Sequence, residues 1–154
     1  MARLEAGQKA PDFSLQADDG STVSLPDLAG QTVALYFYPK DDTTGCTAQA
    51  CEFRDMRAAY DAAGIRVIGE SPATVKSHVR FRDKYELPFT LLSDPDHEAA
   101  EAYGVWVEKS MYGKTYMGVE RSTFIINPDT TVGQALYKVK PKGHAASLLE
   151  LIAT

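Results

Sequence analysis

Residues 32–39, TVALYFYP, form an uncharged run of β-branched and aromatic residues in which apolar side chains do not alternate with polar ones. A strand hidden on one face alternates, whereas a run apolar at every position reads as a strand covered on both faces. From about Thr43 to Ala63 the pattern turns helical, Gly64 closes it as a C-cap, and IRVIG at 65–69 supplies a second buried strand. A chain that must cover both faces of its central strands needs helices on either side of a sheet.

The remaining segments extend that plan. DFSLQADDGSTVSL alternates apolar and polar residues around Asp19-Gly20 and reads as a β-hairpin at the N-terminal end. Ser71-Pro72 suits an N-cap followed by proline at the first helical position, opening a helix to about Tyr85. FTLL is a further strand, and Asp94-Pro95 repeats the capping signal for a short helix to Tyr103. The stretch from Gly104 to Val119 reads as loop. STFIIN and VGQALYKV flank Pro128-Asp129 as an antiparallel hairpin, and HAASLLELIAT closes the chain as a helix. The expected fold is α/β, a central mixed β-sheet flanked by helices on both faces, with residues 1–154 forming one domain free of linkers, repeats and low-complexity tracts.

Composition narrows the function classes. No apolar run approaches the roughly 20 residues that a membrane-spanning helix needs, and 44% hydrophobic with 24% charged residues is ordinary for a soluble globular chain. MARLEAGQKAPDF lacks the apolar centre of a secretory signal, so a cytoplasmic location is expected. The net charge is −5 and the 16 basic residues are scattered, which argues against nucleic acid as a partner.

The chain has two cysteines, Cys46 and Cys51, both in the first helical segment. In a reducing compartment such a pair is redox-active or metal-binding more often than a staple. At 100° per residue Cys46 shares a stripe with Phe53, Met56 and Tyr60, while Cys51 lies with Arg54, Asp55 and Ala58. Helical Cα atoms five apart are roughly 8 to 9 Å from one another, beyond the ~7 Å that a disulfide tolerates. The two thiols can therefore join only if the helix unwinds locally. Cys46 falls in the first turn, where unpaired N–H groups and the helix dipole favour a thiolate; Cys51 lies further along and suits a second thiol that attacks after Cys46 is oxidised. Two other readings stand beside this one. Free cysteines are commonly small core residues. A metal site is the other, although CxxxxC with His78, His97 and His144 scattered along the chain matches no usual zinc spacing. Those histidines read as surface or capping residues, and Lys40, Asp41 and Asp42 as loop and capping residues.

Pro39, Thr43 and Cys46 in PKDDTTGC reproduce the PxxxTxxC motif of peroxiredoxins, and FYPKDDTTGCTAQACEFRD resembles the subfamily called peroxiredoxin Q or bacterioferritin comigratory protein. KAPDFSL, VIGESPATVKSH, KYELPFTLLSD and GVERSTFIIN carry the resemblance along the whole chain. It implies a thioredoxin-like fold with an N-terminal extension, and a thiol-dependent peroxidase acting on hydrogen peroxide and organic hydroperoxides without bound cofactor or metal. Cys46 resembles the peroxidatic cysteine and Cys51 the resolving one, their intramolecular disulfide being recycled by thioredoxin or a similar dithiol. Thr43 matches the threonine whose hydroxyl bonds thiolate and peroxide, Pro39 the proline that shields the pocket, and Arg121 the arginine that holds the thiolate and stabilises charge developing on the leaving oxygen. Relatives are often monomeric, which a pair within one helix permits.

Three positions depart from the pattern. Thr44 stands where many relatives have proline, which should loosen the helix entry. Gln49 replaces a common glutamate of the arginine network, so a less constrained Arg121 is expected. Glu70 occupies a position that is commonly apolar. Two rival functions remain: a general thiol-disulfide oxidoreductase, and a noncatalytic redox sensor.

Overall fold

The computed structural model describes residues 3–153; Met1, Ala2 and Thr154, the outermost residues of the terminal segments read above, lie outside it. The uncharged run becomes β3 (Thr32–Phe37), following an N-terminal hairpin of β1 (Ser14–Ala17) and β2 (Thr22–Ser24) and a 3-10 turn at Leu25–Leu28. After β3 come α1 (Thr44–Asp55), α2 (Arg57–Ala62), β4 (Ile65–Ser71), α3 (Val75–Tyr85), β5 (Thr90–Ser93) and α4 (Glu98–Ala102). The chain continues through β6 (Trp106–Met111), β7 (Lys114–Val119), β8 (Ser122–Ile126) and β9 (Val132–Leu136) to α5 (His144–Ala153).

Seven strands form one sheet in the order β2-β1-β5-β4-β3-β8-β9, while β6 and β7 pair separately. β3, β4 and β5 run parallel, and antiparallel strands complete both edges, so the sheet is mixed as expected. β3 is buried on both faces: Val33, Leu35 and Phe37 enter one core with Phe124, Ala99, Ala100 and Tyr103, while Ala34 and Tyr36, with Tyr38 just beyond the strand, enter a second with Cys46, Ala50, Phe53, Tyr60, Phe81 and Leu148. The first core is roofed by α4 and the 3-10 turn, the second by α1, α2, α3 and α5. Gly69 of β4 makes room for the second core, since a Cβ there would come within 2.9 Å of the Tyr36 ring.

Several boundaries differ from the sequence reading. The single helix expected over 43–63 is two, because Met56 leaves helical geometry at φ −100°, ψ 12°. Ser71 is the last residue of β4 rather than a cap; Thr74 caps α3, its hydroxyl accepting the Ser77 N–H at 3.2 Å. Asp94 does cap α4, but from a distance, its carboxylate accepting the Ala100 N–H at 2.9 Å while His97 holds the N-cap position. The supposed loop at 104–119 contains the β6–β7 hairpin, turned by Tyr112 and Gly113 at φ 52° and 78°. Two consecutive positive φ values are the signature of a tight hairpin turn, and Gly113 supplies one of them without strain.

α1 is tied down unevenly. Near its C-terminal end, Glu52 accepts the Gly143 N–H at 2.7 Å and Arg54 donates to the Tyr85 carbonyl at 2.7 Å.

Candidate active site

Thr43 is the N-cap residue of α1, so Cys46 falls within the first turn, where backbone N–H groups point outward without helical partners. The thiol is 2% exposed and packs into the aromatic core of Tyr36, Tyr38 and Phe53. Arg121, in the bend between β7 and β8, donates from Nη2 to Cys46 Sγ at 3.2 Å and from Nη1 to Gln49 Oε1 at 2.6 Å. One planar guanidinium thus holds the thiol and the α1 residue one turn beyond it.

Gln49 is fully buried, and its Nε2 has no partner among the described residues. The guanidinium has only donors, so the amide must present its oxygen, leaving the NH₂ to face the core. Gln49 thus keeps an acceptor for Arg121 without a charge. Gly45 contributes by absence. A Cβ there would lie 3.2 Å from Arg121 Nη2 and 3.3 Å from Pro141 Cγ, so a larger residue would press on the guanidinium.

Thr43 and Pro39 lie in the loop between β3 and α1, and the Thr43 hydroxyl donates to the Lys40 carbonyl at 3.1 Å rather than to the thiol. Cys51 is half-buried on α1, and both cysteines are free. Because α1 is unbroken from Thr44 to Asp55, the two thiols sit apart, as the helical spacing requires. Of the five sequence-selected residues, the structure brings Cys46 and Arg121 into contact, keeps Pro39 and Thr43 in the adjoining loop, and sets Cys51 aside. Among the described residues no group of three His, Cys, Asp or Glu is arranged to hold a metal ion.

Sequence reasoning missed Lys109 and the burial of two histidines. Lys109 of β6 has its pKa lowered, first by burial and then by the charge of Arg121. His78 and His144 are buried, not at the surface. His144 begins α5 and meets the Thr123 hydroxyl at 2.9 Å; burial, then the nearby Arg121 charge, lowers its pKa to about 4, so it is neutral near pH 7. His78 meets Asp41, itself buried rather than a simple loop residue. Only His97 fits the surface-or-cap reading, stacked on Trp106 with ring centroids 4.0 Å apart.

A basic, N–H-rich helix start around a buried sulfur is suited to a thiolate nucleophile and to an oxyanion leaving from it. Residues 6–135 match the AhpC/TSA family model. The chain belongs to the AhpC/TSA family. Within that family, the chain is 51% identical over 146 residues to a putative peroxiredoxin bcp of Coxiella burnetii, covering 95% of this chain and 97% of the relative. It is 46% identical to peroxiredoxin Bcp of Bacillus subtilis, covering 97% of this chain and 95% of that one. A structure of the bacterioferritin comigratory protein of Xanthomonas campestris, described for its alkyl peroxide reduction activity, superposes with a TM-score of 0.90 at 38% identity, covering 97% of this chain and 98% of that one. The fold expected from the resemblance, a thioredoxin-like mixed sheet with an N-terminal hairpin extension, is the one found.

Proposed function

We infer that this AhpC/TSA chain is a thiol-dependent peroxidase that reduces hydrogen peroxide and organic hydroperoxides. The observation that carries the reading is the 3.2 Å contact of Arg121 with a thiol in the first turn of α1. The Cys46 thiolate attacks one peroxide oxygen; the S–O bond forms, the O–O bond breaks, and the departing oxygen takes up a proton to leave as water or alcohol. Arg121 and the first N–H groups of α1 are fixed donors where charge develops, which is where they contribute most. Pro39 shields the sulfur from water, and the Thr43 hydroxyl, within the same loop, turns toward thiolate and peroxide when substrate is present.

The product is a sulfenic acid on Cys46. Once the first turn of α1 unwinds, the Cys51 thiolate displaces hydroxide from that sulfur, forming the Cys46–Cys51 disulfide, and the departing hydroxide takes up a proton to leave as water. Thioredoxin or a similar dithiol then reduces it by exchange and is itself oxidised. No cofactor or metal enters this cycle. A pair within one helix needs no second subunit, which supports a monomer, and recycling by a reducing dithiol supports a cytoplasmic location.

Stopped-flow peroxide oxidation with intact-mass detection tests the scheme. Cys46→Ser should abolish turnover, and Cys51→Ser should permit one oxidation of Cys46 and then stall. Full steady-state turnover by Cys51→Ser with thioredoxin alone would remove Cys51 from the scheme, and efficient reduction of insulin-type disulfides with little peroxide consumption would favour the general oxidoreductase.

A further inference from the structure

The loop from Pro39 to Thr43, which delivers Cys46 to the helix start, is riveted to α3 by consecutive aspartates. Asp42, at φ 57°, accepts from Lys84 Nζ at 2.8 Å and from the Tyr85 hydroxyl at 2.5 Å on the exposed side. Asp41 turns inward. Its Oδ1 accepts the Tyr38 hydroxyl at 2.6 Å, and its Oδ2 accepts the Ser77 hydroxyl at 2.8 Å and lies 2.7 Å from His78 Nδ1.

The other face of His78 decides where the protons are. Nε2 lies 2.9 Å from the carbonyl oxygen of Leu92, and a carbonyl can only accept, so Nε2 carries hydrogen. A neutral imidazole has one N–H, which would leave a bare Nδ1 lone pair against Asp41 Oδ2; a contact of 2.7 Å requires a proton between them. Three donors converge on the Asp41 carboxylate, and although burial opposes ionisation, the bonds from His78, Tyr38 and Ser77 hold its pKa below the ordinary value.

We propose that Asp41 and a doubly protonated His78 form a buried ion pair that positions the Pro39–Thr43 loop for the peroxidase reaction. The pair joins four pieces of the fold: the loop through Asp41, the end of β3 through the adjoining Tyr38, α3 through Ser77 and His78, and β5 through the Leu92 carbonyl. Neither residue touches the thiol. Both act through the loop, which stays fixed while the first turn of α1 opens and so returns Cys46 to Arg121 when the turn re-forms. Breaking one partner of a buried pair leaves the other charge uncompensated, so each residue depends on the other.

The inference rests on the peroxidase reading, and its test separates the two. In wild-type protein labelled with ¹⁵N-histidine, long-range ¹H–¹⁵N spectra at pH 7 should show both His78 ring nitrogens protonated; a bare Nδ1 overturns the ion pair whatever the protein catalyses. In stopped flow, well below the unfolding midpoint, Asp41→Asn and His78→Gln should each slow Cys46 oxidation by roughly 10- to 100-fold. They should also slow first-order recovery of the peroxide-reactive state after disulfide reduction, with the double variant no worse than either single one. Wild-type rates in either folded variant overturn the positioning role, whereas failure of the wild type itself to consume peroxide would overturn the peroxidase reading instead.

Discussion

Arg121 crosses 75 residues of sequence to place Nη2 3.2 Å from the sulfur of Cys46. Its second prong is committed to Gln49, so the guanidinium is pre-aimed before any peroxide arrives. Removing one preorganised donor to a developing oxyanion costs about 100- to 1,000-fold in comparable sites. Arg121→Ala should lower the second-order rate constant for peroxide by about that much, and Arg121→Lys should recover little, because an ammonium cannot serve Cys46 and Gln49 together. Rates within threefold of wild type for Arg121→Ala would contradict this.

Gln49 holds Arg121 without neutralising it. A carboxylate in its place would draw part of the guanidinium field away from the thiolate. Gln49→Glu should therefore move the acid limb of the pH–rate profile upward by about one unit while leaving the high-pH plateau nearly unchanged. Unchanged kinetics at every pH would show that the charge at this position is without effect.

Glu70 and His144 pull stability in opposite directions with pH. Glu70 is 0% exposed, and burial, followed by the Asp94 charge and a side-chain hydrogen bond with Asp94, raises its pKa well above the ordinary carboxylate value. With the folded pKa above the unfolded one, the native state binds more protons, so stability falls as pH rises from about 4.3 toward the raised value. His144 has a folded pKa depressed to about 4. Its contribution is complete above the unfolded pKa of about 6.5 and is lost as pH falls toward 4. Glu70→Ile should stabilise the protein by roughly 1 to 3 kcal/mol near pH 7, with a smaller gain at pH 4. His144→Gln should flatten the acid side. Urea midpoints across pH 4 to 8 measure both, and a Glu70→Ile gain that is independent of pH would refute the first.

Disulfide formation must spend helix. An intact α1 keeps the Cα atoms of Cys46 and Cys51 roughly 8 to 9 Å apart, beyond disulfide reach. Treatment with one equivalent of peroxide should lower the helical circular dichroism signal of the wild type by about one turn, with full recovery on reduction. Cys51→Ser should keep its helix under the same treatment. An oxidised wild type with undiminished helix would mean that the two cysteines do not pair.

What could be read from the residues was what local chemistry decides. The Asp19-Gly20 and Pro128-Asp129 turns and the uncharged β3 run are specified by neighbours in sequence, and all three appear where expected. β6 and β7 were missed because Trp106–Met111 and Lys114–Val119 are mostly exposed, with Tyr112 97% accessible at their turn, so burial imposes no alternation to detect. The break at Met56 has no glycine or proline to announce it. At the site, helical spacing separated the thiols, but only the family resemblance pointed to Arg121. Asp41 and His78 are ordinary loop and helix residues until the fold brings positions 37 apart within 2.7 Å.

The uneven anchoring of α1 decides which cysteine travels. Cys51 is flanked by Glu52, tied to the start of α5, and lies near Arg54, tied to the end of α3, whereas the opposite end of the helix is gripped through Arg121 alone among the side-chain bonds to Cys46 and Gln49. In the proposed cycle, oxidation turns the thiolate that Arg121 would hold into a neutral sulfenic acid and so weakens that grip. Cys51 then behaves as a moored berth and Cys46 as the vessel, and the break at Met56 keeps the departure from pulling on α2, whose Tyr60 is bonded to the Ala145 carbonyl at 2.7 Å.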